Sequence, residues 1–255
     1  MSLGERILGA LSRDPSAVAP DVQGEYLEAP LALLEQEYEG FAGRVRGKAV
    51  LDFGCGAGQQ SVALAELGAA GVLGIEADPD GLAAARTRAR EAGLEDRVRF
   101  AACLGPDERE AFDLVISQNA MEHFADPAAV LADLRSAARR PGGRLLITFG
   151  PPWFAPYGAH LHYFTKVPWV QLLFRERTVM RVRSRYRSDG AERYEDMQHG
   201  LNKMSLRKFE RLVREASLDV VERRYACVKG IDGLARVPGL RELLVTHVTC
   251  ELAPR

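Results

Sequence analysis

Between Lys48 and Gly150, short aliphatic and β-branched runs alternate with stretches whose apolar positions recur at helical spacing. KAVLDF (48–53), GVLGIE (71–76), RVRFAA (97–102), FDLVIS (112–117) and RLLITF (144–149) read as strands. Several are apolar at consecutive positions, as strands covered on both faces require. QQSVALAEL (59–67) reads as a helix stopped by Gly68. Asp78-Pro79 supplies an N-cap and a first-turn proline for a helix that runs to Gly93. Asp126-Pro127 does the same for a helix carrying Val130, Leu131, Leu134, Ala137 and Ala138, which Pro141-Gly142-Gly143 ends. Strands separated by helices need crossover connections, so the sheet is parallel. Right-handed crossovers make it a doubly wound α/β sheet.

The flanks follow other patterns. Residues 1–46 are expected to hold a helix from about Tyr26 to Phe41, and residues 150–204 form a long insertion after the fifth strand. SLRKFERLVREASL (205–218) reads as a helix, DVVERRYACV (219–228) as a strand and LLVTHVTCEL (243–252) as another, with Leu244, Val248, Cys250 and Leu252 on one face. The connection between these strands contains Pro238-Gly239 and is too short for a full crossover helix, so an antiparallel pair is expected. The prediction is one α/β domain built on a mostly parallel seven-stranded sheet with an antiparallel last strand. Its parts are an N-terminal helical segment (1–46), a core (47–149), a cap insertion (150–204) and a C-terminal helix with a strand pair (205–255).

Composition narrows the setting. The 255 residues are 47% hydrophobic, enough for one sizeable core, and the net charge of -1 gives no basic excess for nucleic acid or an anionic membrane. Cys55, Cys103, Cys227 and Cys250 are scattered without a CxxC pair, which suits reduced thiols rather than a disulfide framework or a zinc site. The opening MSLGERILGALSRDPSAV is broken by acid, Gly and Pro where a signal peptide needs an apolar run, and no run approaches a membrane span. A soluble cytoplasmic protein is expected; oligomeric state stays open.

The strongest local motif is Val50-Leu51-Asp52-Phe53-Gly54-Cys55-Gly56-Ala57-Gly58. A strand running into glycines and then a helix brings bare backbone against a ligand. Asp52 is placed to accept from a ligand ammonium or from backbone donors. Glu76, twenty residues beyond Gly56, ends the second strand, where a carboxylate can accept from both hydroxyls of a ribose. A dinucleotide fingerprint needs a third glycine where Gln59 stands, and Asp52 repels a pyrophosphate, so a ligand with an amino group and an adenosine fits better.

VLDFGCGAGQQS, GIEADP, FDLVISQNAMEHFADPAAVL and RRPGGRLLITF, in that order, resemble the motifs of class I methyltransferases of the methyltransferase-11/12 type. The resemblance is strong over residues 48–150 and looser beyond. It implies an enzyme that uses S-adenosylmethionine. It also implies that Asp52, Gly54, Cys55, Gly56 and Gly58 line the methionine part, Glu76 takes the ribose hydroxyls with Ala77 beside the adenine, and Gln118 and Asn119 lie next to the sulfonium. The family often has Gly-Asp-Ala after the third strand; here the aligned stretch is Cys103-Leu104-Gly105. Leu104 would thus offer adenine an apolar contact, with Asp107 the nearest substitute acid. The matching Glu122-His123 is read as capping and packing.

Methyl transfer from a sulfonium needs alignment and exclusion of water, and a hydroxyl acceptor also needs a proton acceptor. The insertion carries Trp153, Phe154, Tyr157, His160, His162, Tyr163, Phe164, Trp169 and Phe174. It is expected to roof a pocket for a small-molecule acceptor, most simply a hydroxyl, with His160 or His162 as general base; the alternative is that the aromatics are the cap's own core. No acid or cysteine lies beside these histidines in sequence, so no metal is expected. Arg181, Arg183, Arg185 and Arg187 would share one face of an extended segment, solvated and balanced by Glu192, Glu195 and Asp196, or forming an anion-binding rim. N- or C-methylation, a nucleotide-binding scaffold without chemistry and an NAD-dependent oxidoreductase are the competing readings. The intact glycine loop and Glu76 weigh against the scaffold, Gln59 and an antiparallel last strand against the oxidoreductase.

Overall fold

Val50 and Leu51 are adjacent in the chain, both fully buried, and belong to cores on opposite faces of one sheet. That is how successive side chains of a central strand must point, and it explains the unbroken apolar run. The computed structural model describes residues 1–15, 29–197 and 199–255. Ahead of the sheet lie α1 (Leu3–Ala10), α2 (Ala32–Glu37) and α3 (Phe41–Val45). The core then alternates β1 (Ala49–Phe53), α4 (Gln59–Glu66), β2 (Gly71–Ile75), α5 (Pro79–Glu91), β3 (Val98–Ala101), β4 (Leu114–Gln118), α6 (Pro127–Ala137) and β5 (Arg144–Phe149). The insertion holds α7 (Val170–Leu173) and α8 (Glu176–Arg183); α9 (Leu206–Glu215), β6 (Leu218–Cys227), α10 (Arg241–Leu244) and β7 (Val245–Pro254) follow.

The described residues form a seven-stranded sheet in the order β3-β2-β1-β4-β5-β7-β6. Neighbours from β3 to β5 are parallel, whereas β7 pairs antiparallel with both β5 and β6. Local signals set the helix ends. Asp78 Oδ2 accepts the Gly81 N–H, Asp126 Oδ1 accepts those of Ala128 and Ala129, and Ser205 Oγ accepts that of Lys208. Gly68, at φ 108°, stops α4. One face packs Leu131, Leu134, Phe209 and Leu212 against the strands, and the other packs Leu34, Phe41, Val62 and Leu64. No helix of the described residues is long and apolar enough to cross a membrane.

Three expectations are corrected. The helix foreseen from Tyr26 to Phe41 is two short ones, its first residues, up to Glu28, lying outside the described residues. Gly40 adopts φ 65°, and the buried Tyr38 leaves helical geometry so that its hydroxyl donates to the carbonyls of Ile147 (3.3 Å) and Cys250 (3.2 Å). Leu244 closes α10 instead of lying on the last strand, because Glu242 is drawn inward to accept the first-turn N–H groups of α9 from Leu206 and Arg207. The arginine stretch is not extended and the four do not share one face: Arg181 and Arg183, two residues apart, lie in α8. Arg181 pairs with Glu5, Arg183 with Asp189, and Arg187 sits over the Tyr163 ring, while Glu195 and Asp196 pair with Lys203 and Arg193. The amphipathic α8 turns Arg183 inward, where the bidentate Asp189 carboxylate offsets its burial.

The insertion has a core of its own. Phe164, Val179, Val182 and Tyr194 are buried there together with Leu8 of α1, so α1 packs with the insertion while α2 and α3 cover the sheet. Trp153 meets Tyr194 edge-on at 4.8 Å and Phe164 stacks on Tyr186 at 4.9 Å. These aromatics fill the cap.

Candidate active site

After β1 the chain passes through Gly54, Gly56 and Gly58 at φ 81°, 53° and 78°, a region in which L side chains are strained. The glycines differ in what surrounds them. A Cβ on Gly58 would lie 2.8 Å from the Ala85 Cβ, so this glycine lets α4 and α5 approach. A Cβ on Gly56 would meet nothing within 4 Å, leaving its backbone bare to open space.

The adjoining cavity holds about 240 Å³ and is lined by Pro30, Asp52, Gly54, Cys55, Gly56, Gln59, Gln60, Gln118 and Asn119. It lies at the carboxyl ends of β1 and β4, where the chain stops adding strands on one side of β1 and starts on the other. Open α/β sheets bind their ligands at such a switch point. Asp52 is buried there. Its Oδ1 accepts from Gln60 Nε2 and its Oδ2 from Ser61 Oγ, both at 2.6 Å. Burial pushes its carboxyl up to about 6, against the pull of those two hydrogen bonds. Burial also pushes the Cys55 thiol up, so it stays protonated.

Glu76 follows β2 immediately. Its Oε2 accepts the Gly56 N–H at 2.9 Å and its Oε1 accepts the Asp78 N–H at 2.8 Å. Each carboxylate oxygen keeps a lone pair for a further donor. Asn119, at φ 49°, is held by its N–H donating to the Thr148 carbonyl at 2.8 Å. Gln118 Oε1 is buried and has no hydrogen-bond partner among the described residues.

Of the residues singled out from sequence, Asp52, Gly54, Cys55, Gly56, Gln118 and Asn119 line one cavity, and Glu76 joins it through the Gly56 amide. Gly58 lies beneath, and Ala77 is exposed beside Glu76. Leu104 packs against the larger core, off the cavity wall. Asp107 lines a separate cavity with Ala49 and Gly71 at the amino ends of β1 and β2. Pro30, Gln59 and Gln60 were not foreseen as lining residues; the position of the two glutamines in the first turn after the glycine loop was the available signal.

The two cap histidines occupy different settings. His162 packs on the Tyr157 ring at 4.2 Å, and burial, with Arg13 adding to it, pushes it down. His160 lies at φ 54° with its ring edge-on to His123 at 5.4 Å. Burial, and then the neighbouring His123, pushes it down to about 4. Glu122 follows β4, and its Oε1 accepts the Gly150 N–H at 3.1 Å just past β5. The group therefore sits at the carboxyl ends of β4 and β5.

Comparison with known proteins agrees with this geometry. Residues 44–151 match the methyltransferase domain family. Over 107 residues the chain is 38% identical to a ribosomal protein L11 methyltransferase of Methylococcus capsulatus, covering 42% of this chain and 35% of that protein. The chain thus spans about a third of the length of the L11 methyltransferases it matches. A Mycobacteroides abscessus protein called an uncharacterized methyltransferase is 28% identical over 263 residues, covering 100% of this chain and 89% of the relative. A geranyl diphosphate methyltransferase solved in complex with SAM superposes with a TM-score of 0.59 at 19% identity, covering 89% of this chain and 85% of that one. The ordered motifs, the sheet and these matches agree over one region: residues 44–151 form a methyltransferase domain similar in fold to S-adenosylmethionine-dependent enzymes of class I.

Proposed function

We propose that the chain transfers a methyl group from S-adenosylmethionine to a small-molecule acceptor, at a hydroxyl oxygen. The observation that carries the cofactor half is the bare Gly56 backbone facing the cavity, tied to Glu76 at the end of β2. A second observation supports the fit: Gln118 Oε1, buried and unpartnered, lacks a donor that an amino acid ammonium would supply. Asp52 and Gln118 would hold the ammonium end, Gly54, Cys55 and Gly56 the methionine chain, and Glu76 the ribose hydroxyls. Ala77 would offer apolar contact to the adenine side, Leu104 supporting it only from the core behind, and Asn119 would border the reacting methyl. When bound, S-adenosylmethionine supplies an electrophilic methyl on a sulfonium.

The protein's own part is to align the acceptor and exclude water. A cap with a packed core over the strand ends supports a small acceptor, as does the lack of basic excess. The similarity to L11 methyltransferases spans 107 residues, 42% of this chain, so the acceptor of those enzymes does not carry over to the whole of it. A hydroxyl nucleophile gives up a proton, for which His160 and His162 are the candidate acceptors. His160 is the better placed, since it adjoins the Glu122–His123 pair over the ends of β4 and β5.

Calorimetry with S-adenosylhomocysteine, and NADH as control, tests the cofactor half. Binding of the former alone is expected; binding of NADH instead would overturn it. A panel of small hydroxylated compounds, scored by S-adenosylhomocysteine release, tests the acceptor. Turnover confined to amines or to a protein would refute the hydroxyl reading.

A further inference from the structure

Glu122, His123 and His160 each bring one potential ligand atom to the same place. A carboxylate oxygen and one nitrogen from each imidazole lie within 4.8 Å of one another. Glu122 is 3% exposed, and its Oε2 has no hydrogen-bond partner among the described residues. A carboxyl oxygen left bare at that depth is costly unless a cation or donor meets it.

The imidazoles are oriented from behind. His123 Nδ1 faces the carbonyl oxygens of His199 (2.7 Å) and Gly200 (2.9 Å), two acceptors, so it carries the proton. Its Nε2 is then an unprotonated donor to a metal. His160 Nε2 faces the Pro151 carbonyl at 3.4 Å, which leaves Nδ1 for the same use. A carbonyl behind each ligating imidazole is the usual outer support of a metal site.

We propose that Glu122, His123 and His160 bind a divalent transition-metal cation on the acceptor side of the cofactor cavity. Two neutral imidazoles and one carboxylate suit zinc, iron or manganese, and three protein ligands leave positions open. Donors about 2.1 Å from one centre sit roughly 3–3.5 Å apart, so the present spread closes by small side-chain rotations. The ligands come from the turn after β4 and from the cap, so the cation would clamp the cap to the sheet.

The open position suits an oxygen acceptor, and here the inference rests on the methyl-transfer reading above. Coordination lowers the pKa of a bound hydroxyl. The proton leaves to solvent, the oxygen–methyl bond forms as the methyl–sulfur bond breaks, and that electron pair remains on sulfur. In this form His160 is a ligand instead of a base.

The test is calorimetry of the chelator-stripped full chain with Zn²⁺ alone and Mn²⁺ alone, in the absence of cofactor. One equivalent is expected to bind. His123→Gln and His160→Gln should each weaken it by at least about 10–100-fold, the cost already seen for losing an outer support, while His162→Gln leaves it unchanged. No binding, or unaltered binding in both variants, overturns the proposal. Should a variant fail to fold, pulsed EPR of the unaltered Mn²⁺-loaded protein decides. Nitrogen coupling from imidazole is expected, and its absence refutes the site. Metal binding without S-adenosylhomocysteine binding would sink the methyl-transfer reading alone; the reverse would sink the metal site alone.

Discussion

Glu76 Oε2 accepts the Gly56 N–H at 2.9 Å, so the acid at the end of one strand holds in place the turn that follows its neighbour. The same carboxylate is the proposed ribose acceptor. Glu76→Ala removes both functions at once, and hydrogen bonds to a charged group contribute about 1.5–3 kcal/mol. S-adenosylhomocysteine affinity is therefore expected to fall by about 10–150-fold. Glu76→Gln, which retains one acceptor oxygen, should lose less. Calorimetry on the two variants checks the order.

Asp52 is held near 6, well above its ordinary 3.8. A ligand bearing an ammonium group prefers the carboxylate, so affinity is full above pH about 6 and falls by up to tenfold per pH unit below it. Asp52→Asn should flatten that slope. In the free protein the sign reverses. The folded state binds the proton more tightly than the unfolded chain, so this group's contribution to stability is complete below about 3.8 and is lost as pH rises through 6. Binding and denaturation series from pH about 4 to 8 would show the opposite trends.

The two glycines that differ in surroundings predict different failures. Gly58→Ala forces a methyl to 2.8 Å from the Ala85 Cβ in a left-handed backbone. Overpacking costs about 1–3 kcal/mol and the backbone about 1–2 more, so a clear drop in melting temperature is expected. Gly56→Ala meets open space and bears only the backbone cost, yet places its methyl in the cavity. It should melt below the parent but above Gly58→Ala, and bind S-adenosylhomocysteine poorly. Equal melting temperatures for the two would contradict the assignment.

Arg183 is 4% exposed and donates to both carboxylate oxygens of Asp189 at 2.6 Å. Asp189 keeps 27% of its side chain in solvent, which softens the loss of its partner. Arg183→Ala is expected to cost about 2–3 kcal/mol, below the range for a fully buried pair. Arg185→Ala, at an exposed neighbour, should stay within about 0.5 kcal/mol. Thermal or urea denaturation separates them.

What the sequence alone determined is what near neighbours in the chain decide. Glycine and proline punctuation, N-cap acids and apolar periodicity place the strands and helices of 48–149 within a residue or two, because those signals act over one helical turn or one strand. The switch point and the residues gathered at its cavity followed as well, since Asp52, Glu76, Gln118 and Asn119 stand at strand ends and the crossover rule fixes which ends meet. The tertiary structure decided the rest. Tyr38 breaks its helix to reach carbonyls of β5 and β7, Arg183 turns inward to Asp189, and Leu244 leaves a predicted strand as Glu242 caps α9. Glu122 and His123 read as local packing until the cap brings His160 against them, 37 positions further on. Burial, desolvation and donor geometry depend on which distant segments meet, and no local pattern in the chain encodes that.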